Sequence, residues 1–162
     1  MMILTLDTSV AVKWIVEEPG SQQTNSYLPK WNGNSLHFEH VFTAPSLIAL
    51  EVHNAIAKKY KRGEATFEQL AEAEFSIRYV GALEPVDDDL IRNARLMSFV
   101  AKHWAANAEG RPRPELGAVF NIYDCIYIAH AKRHKSTLLT ADREQAQVAA
   151  LFNVPVEFVS VE

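Results

Sequence analysis

The sequence predicts an α/β fold in which a mostly parallel sheet is covered by helices. Short apolar runs bounded by turn residues alternate with segments of helical period along most of the chain. The first run, Ile3–Leu6, is apolar without alternation, as expected of a strand buried on both faces. Acids follow Ile3–Leu6 and Thr137–Thr140 within two residues, and open parallel sheets gather function at the carboxyl ends of their strands.

The elements follow in order. Thr8 or Ser9 caps a helix that runs to about Glu18, where Pro19 and Gly20 end it. Residues 29–43 carry Pro29, Asn32, Gly33 and Asn34 and read as mostly loop, with a short strand at Phe42–Ala44. Ser46 opens a helix to about Arg62, and Gly63 takes the position just beyond its end. A second helix covers Thr66 to about Val80, and Leu83–Val86 is a short strand. Asp87–Asp89 begin a helix to about Val100, with acids at its positive end. Asn107, Gly110, Pro112, Pro114 and Gly117 then argue for a long loop or insertion around residues 103–119. A helix over Tyr123–Lys135, a strand at Thr137–Thr140, a helix over Arg143–Leu151 and a strand at Val156–Val161 complete the chain. Its 162 residues suit one domain, with no internal repeat or linker.

Composition narrows the classes. The absence of a long apolar run excludes a membrane-spanning helix, and Met1–Leu6 is too short for a signal peptide, so a cytoplasmic address is expected. Cys125 is the only cysteine, which excludes an intramolecular disulfide and a Cys-rich zinc site. The net charge of −4 is unlike most nucleic-acid binders. Two local basic clusters run against that balance: Lys58, Lys59, Lys61 and Arg62, then Lys132, Arg133, His134 and Lys135. Each is either a solvated helix C-terminus or a phosphate-holding surface, and both readings stand.

Four acids stand where chemistry is expected. Asp7 and Asp142 lie just beyond strands, where an acid ordinarily caps the next helix; here Thr8, Ser9 and Thr140 offer alternative caps. Glu51 falls between Leu47 and Ala55 inside the apolar stripe of its helix at about 100° per residue. A carboxylate aimed at a core must be neutral, paired with a cation such as Arg, or bound to a metal. Asp124 shares a face with Ile128 and Ala131 in a segment apolar nearly all round, or serves as a first-turn acid favoured by the helix dipole. Such a cluster suits metal-assisted hydrolysis of phosphodiesters, in which one or two Mg²⁺-like ions activate water and steady the leaving oxygen.

The segments I-L-T-L-D-T-S-V with Asp7, P-S-L-I-A-L-E-V-H-N-A-I with Glu51, I-Y-D-C-I-Y-I-A-H-A with Asp124 and L-L-T-A-D-R-E with Asp142 resemble, in order, the four acidic motifs of PIN domains. Their context is most similar to the VapC-type toxins of toxin–antitoxin pairs. The resemblance implies a three-layer fold with a five-stranded parallel sheet between helices. It implies an Mg²⁺- or Mn²⁺-dependent endoribonuclease with Asp7, Glu51, Asp124 and Asp142 as catalytic metal ligands. Ser9 and Thr140 assist by hydrogen bonds, and Asp142 ranks below the other acids because the fourth is the family's most variable. A homodimer and a small antitoxin partner are implied as well. The segment around 103–119 is longer than typical toxins carry.

Other residues add less. His37, His40, His53, His103, His130 and His134 form no familiar ligand spacing and read mostly as surface residues; His130 and His134 lack the acid-bearing zincin pattern. Trp14, Trp31 and Trp104 read as core or interface aromatics. Ser9 stands where a haloacid-dehalogenase-like enzyme needs its second Asp, which removes that reading. A PIN-like scaffold that binds without cutting would be marked by loss of an acid, and all four are present.

Overall fold

The computed structural model describes residues 1–73, 77–107 and 121–160, with side chains left undescribed at 103–107. Five strands form the main sheet: β1 (Met2–Leu6), β4 (His40–Pro45), β5 (Val80–Glu84), β6 (Thr137–Thr140) and β7 (Val156–Phe158). Their order is β5-β4-β1-β6-β7, and every neighbouring pair is parallel. Helices α1 (Thr8–Lys13), α2 (Ser21–Asn25), α3 (Leu47–Lys61), α4 (Phe67–Ala71), α5 (Asp88–Asn107), α6 (Ile122–His134) and α7 (Arg143–Leu151) flank it, giving the expected three-layer α/β arrangement.

Strand order positions the site. From β1 the chain moves outward to β4 and β5, then crosses back to place β6 on the other side of β1. The order therefore reverses between β1 and β6, and in open α/β sheets the crevice beyond the carboxyl ends at such a point is where ligands bind. Leu4, Leu6, Phe42, Ile48, Leu90, Ile128, Leu138 and Leu139 fill the core. Each large side chain of this kind contributes roughly 1.5–3 kcal/mol on burial.

The structure corrects several expectations. β1 is buried only in its second half, since Met2 and Ile3 are exposed. Helix α1 stops at Lys13, after which the chain tightens into three-residue turns (Trp14 N–H to Ala11 O, Ile15 N–H to Val12 O). The buried Lys13 ammonium fixes this bend by donating to Glu18 Oε1 and to Pro19 O, both at 2.8 Å. Residues 29–43 are not mostly loop. They hold the antiparallel hairpin β2 (Lys30–Asn32) and β3 (Ser35–His37), turned by Gly33 at φ 63° and Asn34. The Asn-Gly pair at its turn is a hairpin signal, but the strands are three residues each and exposed.

Thr66 caps its helix through a full capping box with Gln69, yet α4 ends at Ala71 and Val80 opens β5 instead. Pairing with β4 overrides helical period there. Helix α5 continues to Asn107 rather than ending near Val100, and β7 stops at Phe158. The rest of the expected 103–119 loop, from residue 108 onward, lies outside the described residues. Trp31 is exposed and therefore not a core aromatic, whereas Trp14 packs edge-on against Phe42. Gly63, at φ 75°, takes the left-handed position predicted beyond α3. No helix among the described residues is long and apolar enough to cross a membrane.

Candidate functional site

Asp7 leaves the end of β1 in extended backbone (φ −93°, ψ 154°) and caps α1 by accepting from Ser9 N–H at 3.1 Å. Asp142 likewise caps α7, its Oδ1 accepting from Glu144 N–H at 2.8 Å and Gln145 N–H at 3.0 Å. Thr8, Ser9 and Thr140 do not take over those capping duties; the acids perform them. Capping aims both carboxylates at the crevice beside the sheet's switch point, so the structural and the site role coincide.

Asp7 is almost wholly buried. Its Oδ2 accepts from Ser9 Oγ at 2.5 Å and Thr140 Oγ1 at 3.1 Å, while Oδ1 takes only a longer contact from Gln145 Nε2 at 3.3 Å. Ser9 Oγ also accepts from Ala141 N–H at 2.9 Å, and Thr140 Oγ1 from Asp142 N–H at 3.0 Å. These bonds staple the ends of β1 and β6 together and leave Oδ1 as the less committed oxygen. Burial pushes the Asp7 carboxyl above its ordinary range, against the lowering effect of its Ser9, Gln145 and Thr140 hydrogen bonds.

Glu51 reaches into the same crevice from α3. It accepts from Tyr127 Oη on α6 at 2.5 Å and from Thr8 Oγ1 at 3.1 Å, with Thr8 Oγ1 itself 2.8 Å from Tyr127 Oη. Burial raises its pKa, with the Asp7 charge adding to the rise and the two hydroxyls opposing it. The stripe projection therefore placed Glu51 correctly toward the interior, where it meets hydroxyls rather than an Arg.

Asp124 lies in the first turn of α6, which Asn121 caps by accepting from Tyr123 N–H at 3.2 Å. Its pKa is pushed up to about 7, first by burial and then by the charges of Asp7, Asp142, Glu51 and Glu144. Four separate elements thus bring their acids within one electrostatic field. All four line an open cleft of about 640 Å³ together with Thr8, Ser9, Lys13, Glu18, Asn54, Lys58, Lys59, Arg62 and Tyr123.

The cleft resolves the two basic clusters differently. Lys58, Lys59 and Arg62 border it, but Lys59 is held by Glu18 at 2.5 Å and Arg62 by Glu64 at 2.8 Å. Lys58 is exposed and has no acidic partner within 4.0 Å among the described residues. The second cluster does not line the cleft; its Arg133 grips Asp87 through two bonds at 2.8 and 2.9 Å.

Tyr127, Gln145 and Glu144 join the site without having been singled out, and Thr8 joins it as a partner of Glu51 rather than as the cap expected of it. Gln145, wholly inside, spans from Asp7 Oδ1 to the Asp124 backbone oxygen, both at 3.3 Å. Their sequence signal is weak: a Tyr and a Gln at core-facing helical positions, polar where an apolar residue would fit. His130 also departs from expectation, being fully buried rather than on the surface.

Comparisons with known proteins bear on the fold. The fold is similar to VapBC2 from Rickettsia felis bound to a DNA fragment from their promoter, at 13% identity and a TM-score of 0.58, over 98% of this chain and 100% of that one. It is similar to VapBC-1 from nontypeable Haemophilus influenzae at 16% identity and a TM-score of 0.55, over 97% and 98% of the two chains. It is similar to FitAcB from Neisseria gonorrhoeae at 15% identity and a TM-score of 0.56, over 96% of each chain. No curated protein sequence matches the chain. The PIN domain family matches residues 4–151, a span that contains all four acids, β4, β5 and β6 in full and the buried end of β1. The chain belongs to the PIN domain family.

Proposed function

We propose that the chain is an endoribonuclease that uses Mg²⁺ or Mn²⁺ to hydrolyse RNA phosphodiester bonds, and that it is the toxin of a toxin–antitoxin pair. One observation carries the reading: Asp7, Glu51, Asp124 and Asp142 line one open cleft, where burial first and then the charges of the other three acids and Glu144 push Asp124 up to about 7. Carboxylates gathered against their own repulsion are a donor set for a hard divalent cation. Asp7, Glu51 and Asp124 would hold it, with Asp142 at the rim. A bound ion would supply an activated water and neutralise charge on the leaving oxygen.

The chain's own groups do the positioning. Ser9 and Thr140 orient Asp7, and Thr8 with Tyr127 orients Glu51. Lys58, at the border of the cleft, supplies a cation for the RNA backbone. In the reaction the water oxygen joins phosphorus, an ester P–O bond breaks, and the departing oxygen is protonated. A small antitoxin is the proposed partner, together with self-association as a homodimer. The partner reading is supported by an apolar groove of about 420 Å³ lined by Leu47, Leu50, Val86, Ile91, Tyr123 and Ile126, with Leu50 and Tyr123 exposed.

The test is incubation of the purified chain with total cellular RNA and Mn²⁺ or Mg²⁺, in parallel with EDTA and with Asp124→Asn. Discrete cuts that vanish with EDTA and with the substitution are expected. Cutting that survives Asp124→Asn, or no cutting with either ion, overturns the reading.

A further inference from the structure

Glu84 closes β5, and His130 and His134 lie one turn apart on α6. None of the three lines the acidic cleft. His134 Nε2 stands 2.8 Å from Glu84 Oε2, and His130 Nε2 is 4.0 Å from the same oxygen. The two imidazole centroids are 4.5 Å apart. One ligand atom from each residue lies within 4.8 Å of the others, and among the described residues no other trio of His, Cys or acidic side chains is so tight.

His130 is the second observation. Its ring is wholly buried, and Nε2 has no hydrogen-bond partner among the described residues. Buried polar atoms are ordinarily bonded, and this one faces the Glu84 carboxylate without reaching it. Its other nitrogen is held from behind: Nδ1 lies 3.2 Å from Thr5 Oγ1, which lies 2.6 Å from Ser136 Oγ. Where Ser136 donates to Ala131 O at 3.4 Å, Thr5 is free to donate to Ser136 and accept from Nδ1–H, one of the two directions this chain of hydroxyls allows. That assignment, made from the hydrogen-bond network, leaves Nε2 with a lone pair aimed at Glu84 and His134. Metal-bound histidines are likewise oriented by an acceptor on the far ring nitrogen, there usually a carboxylate, backbone carbonyl or water.

We propose that Glu84, His130 and His134 bind a divalent transition-metal ion of the Zn²⁺ type, at a site separate from the acidic cleft. Two imidazoles and one carboxylate favour Zn²⁺ over Mg²⁺, which takes oxygen ligands. At metal–ligand distances of about 2.0–2.2 Å, tetrahedral ligand atoms sit roughly 3.4 Å apart. The separations of 2.8 and 4.0 Å bracket that value, so small side-chain rotations complete the site. The Arg133–Asp87 pair already clamps α6 to the segment just after β5, so the backbone around the trio is in place before an ion arrives. Glu84 and His134 keep 34% and 28% of their side-chain surface, although the His134 Nε2 atom itself is buried like that of His130. A simple His134–Glu84 ion pair leaves His130 Nε2 unaccounted for, and the 2.8 Å contact does not give buried His134 Nε2 a hydrogen bond.

The test is a Co²⁺ titration of the chelator-stripped full chain, followed by visible ligand-field absorption, with Zn²⁺ and Mg²⁺ as competitors. A nitrogen-ligated Co²⁺ band that Zn²⁺ displaces and Mg²⁺ does not is expected. It persists in Asp124→Asn and weakens at least about tenfold in affinity in both His134→Ala and the nearly isosteric Glu84→Gln. Far-UV circular dichroism checks that the variants remain folded. A wild-type chain without the band overturns the proposal, as does a band unchanged in Glu84→Gln. Loss of the band in Asp124→Asn would place the ion in the acidic cleft and overturn it equally.

Discussion

Tyr127 Oη donates to Glu51 Oε2 at 2.5 Å, tying the midpoint of α6 to α3 from the buried side of the acidic cleft. Tyr127 is buried, and its pKa is driven up by burial and by the charges of Asp7 and Glu51, so it stays a proton donor to the carboxylate. In Tyr127→Phe, Glu51 keeps only Thr8 as a hydroxyl partner. We expect a stability loss of about 1–3 kcal/mol, the scale of a hydrogen bond to a charged group. Mn²⁺ affinity should fall about tenfold, as for other removals of an outer-shell partner. Thermal melts with and without Mn²⁺ separate the two effects, since a purely structural role lowers stability without changing the metal-induced shift.

Asp124 gives a pH dependence with a defined sign. Its folded pKa of about 7 lies above the ordinary 3.8, so the native state holds the proton more tightly than the unfolded chain. Stability from this group is complete below about pH 4 and is lost as pH rises toward 7. In chelator, Asp124→Asn should therefore melt higher than the parent at pH 8, with the gap closing toward pH 4. Each kcal/mol relieved corresponds to about 2–4 °C for a domain near this size. Proton and metal compete for the same oxygens, so subsaturating Mn²⁺ should bind about tenfold more weakly per pH unit below 7. A flat metal affinity between pH 6 and 8 would remove Asp124 from the ligand set.

Asp142 can be split into its two roles. Asp142→Ala removes the cap on α7, at a cost of about 1 kcal/mol. Asp142→Asn keeps an oxygen for Glu144 and Gln145 N–H and should leave the melting temperature nearly unchanged. Cleavage and Mn²⁺ affinity should fall in both variants if the charge matters at the rim. Full activity in Asp142→Asn with a loss in Asp142→Ala would leave capping as its only contribution.

Lys58 is the exposed, unpaired cation on the cleft border among the described residues. Lys58→Ala should weaken RNA binding without altering the melting temperature, and lower the slope of log affinity against log salt by about one. Lys59→Ala should do more damage to the fold, because Lys59 and the buried Lys13 both hold Glu18. An unchanged salt slope in Lys58→Ala would take this edge of the cleft out of the RNA path.

The order of β1, α3, α6, β6 and α7 was readable because each announces itself locally. Apolar runs end in Asp7 and Thr140, the helical stripe contains Glu51, and Gly63 marks the end of α3. These signals carried the four acids to one cleft. What escaped depends on neighbours distant in the chain. Tyr127 becomes a site residue only because its hydroxyl reaches from α6 to Glu51 on α3, and Gln145 only because α7 places it between Asp7 and Asp124. The alternative caps offered by Thr8 and Ser9 misled for the opposite reason, since a local substitute existed that the fold did not use. The segment before β5 failed because sheet pairing with β4 outweighs helical period, which no window of residues 66–80 can show.

The hydrogen bond from Thr140 to Asp7 joins residues 133 positions apart. Everything that buries and aims Asp7 beyond its own turn, namely Thr140, Ala141 behind Ser9, and Gln145, belongs to the last quarter of the chain. During synthesis β1, β4, β5 and α3 emerge first and carry Asp7 and Glu51, yet the crevice between β1 and β6 has no second wall until residues 137–145 arrive. A growing chain therefore holds a half-built cleft for most of its time on the ribosome. All four acids share one cleft only after the last quarter of the chain, which carries Asp124 and Asp142, has been made.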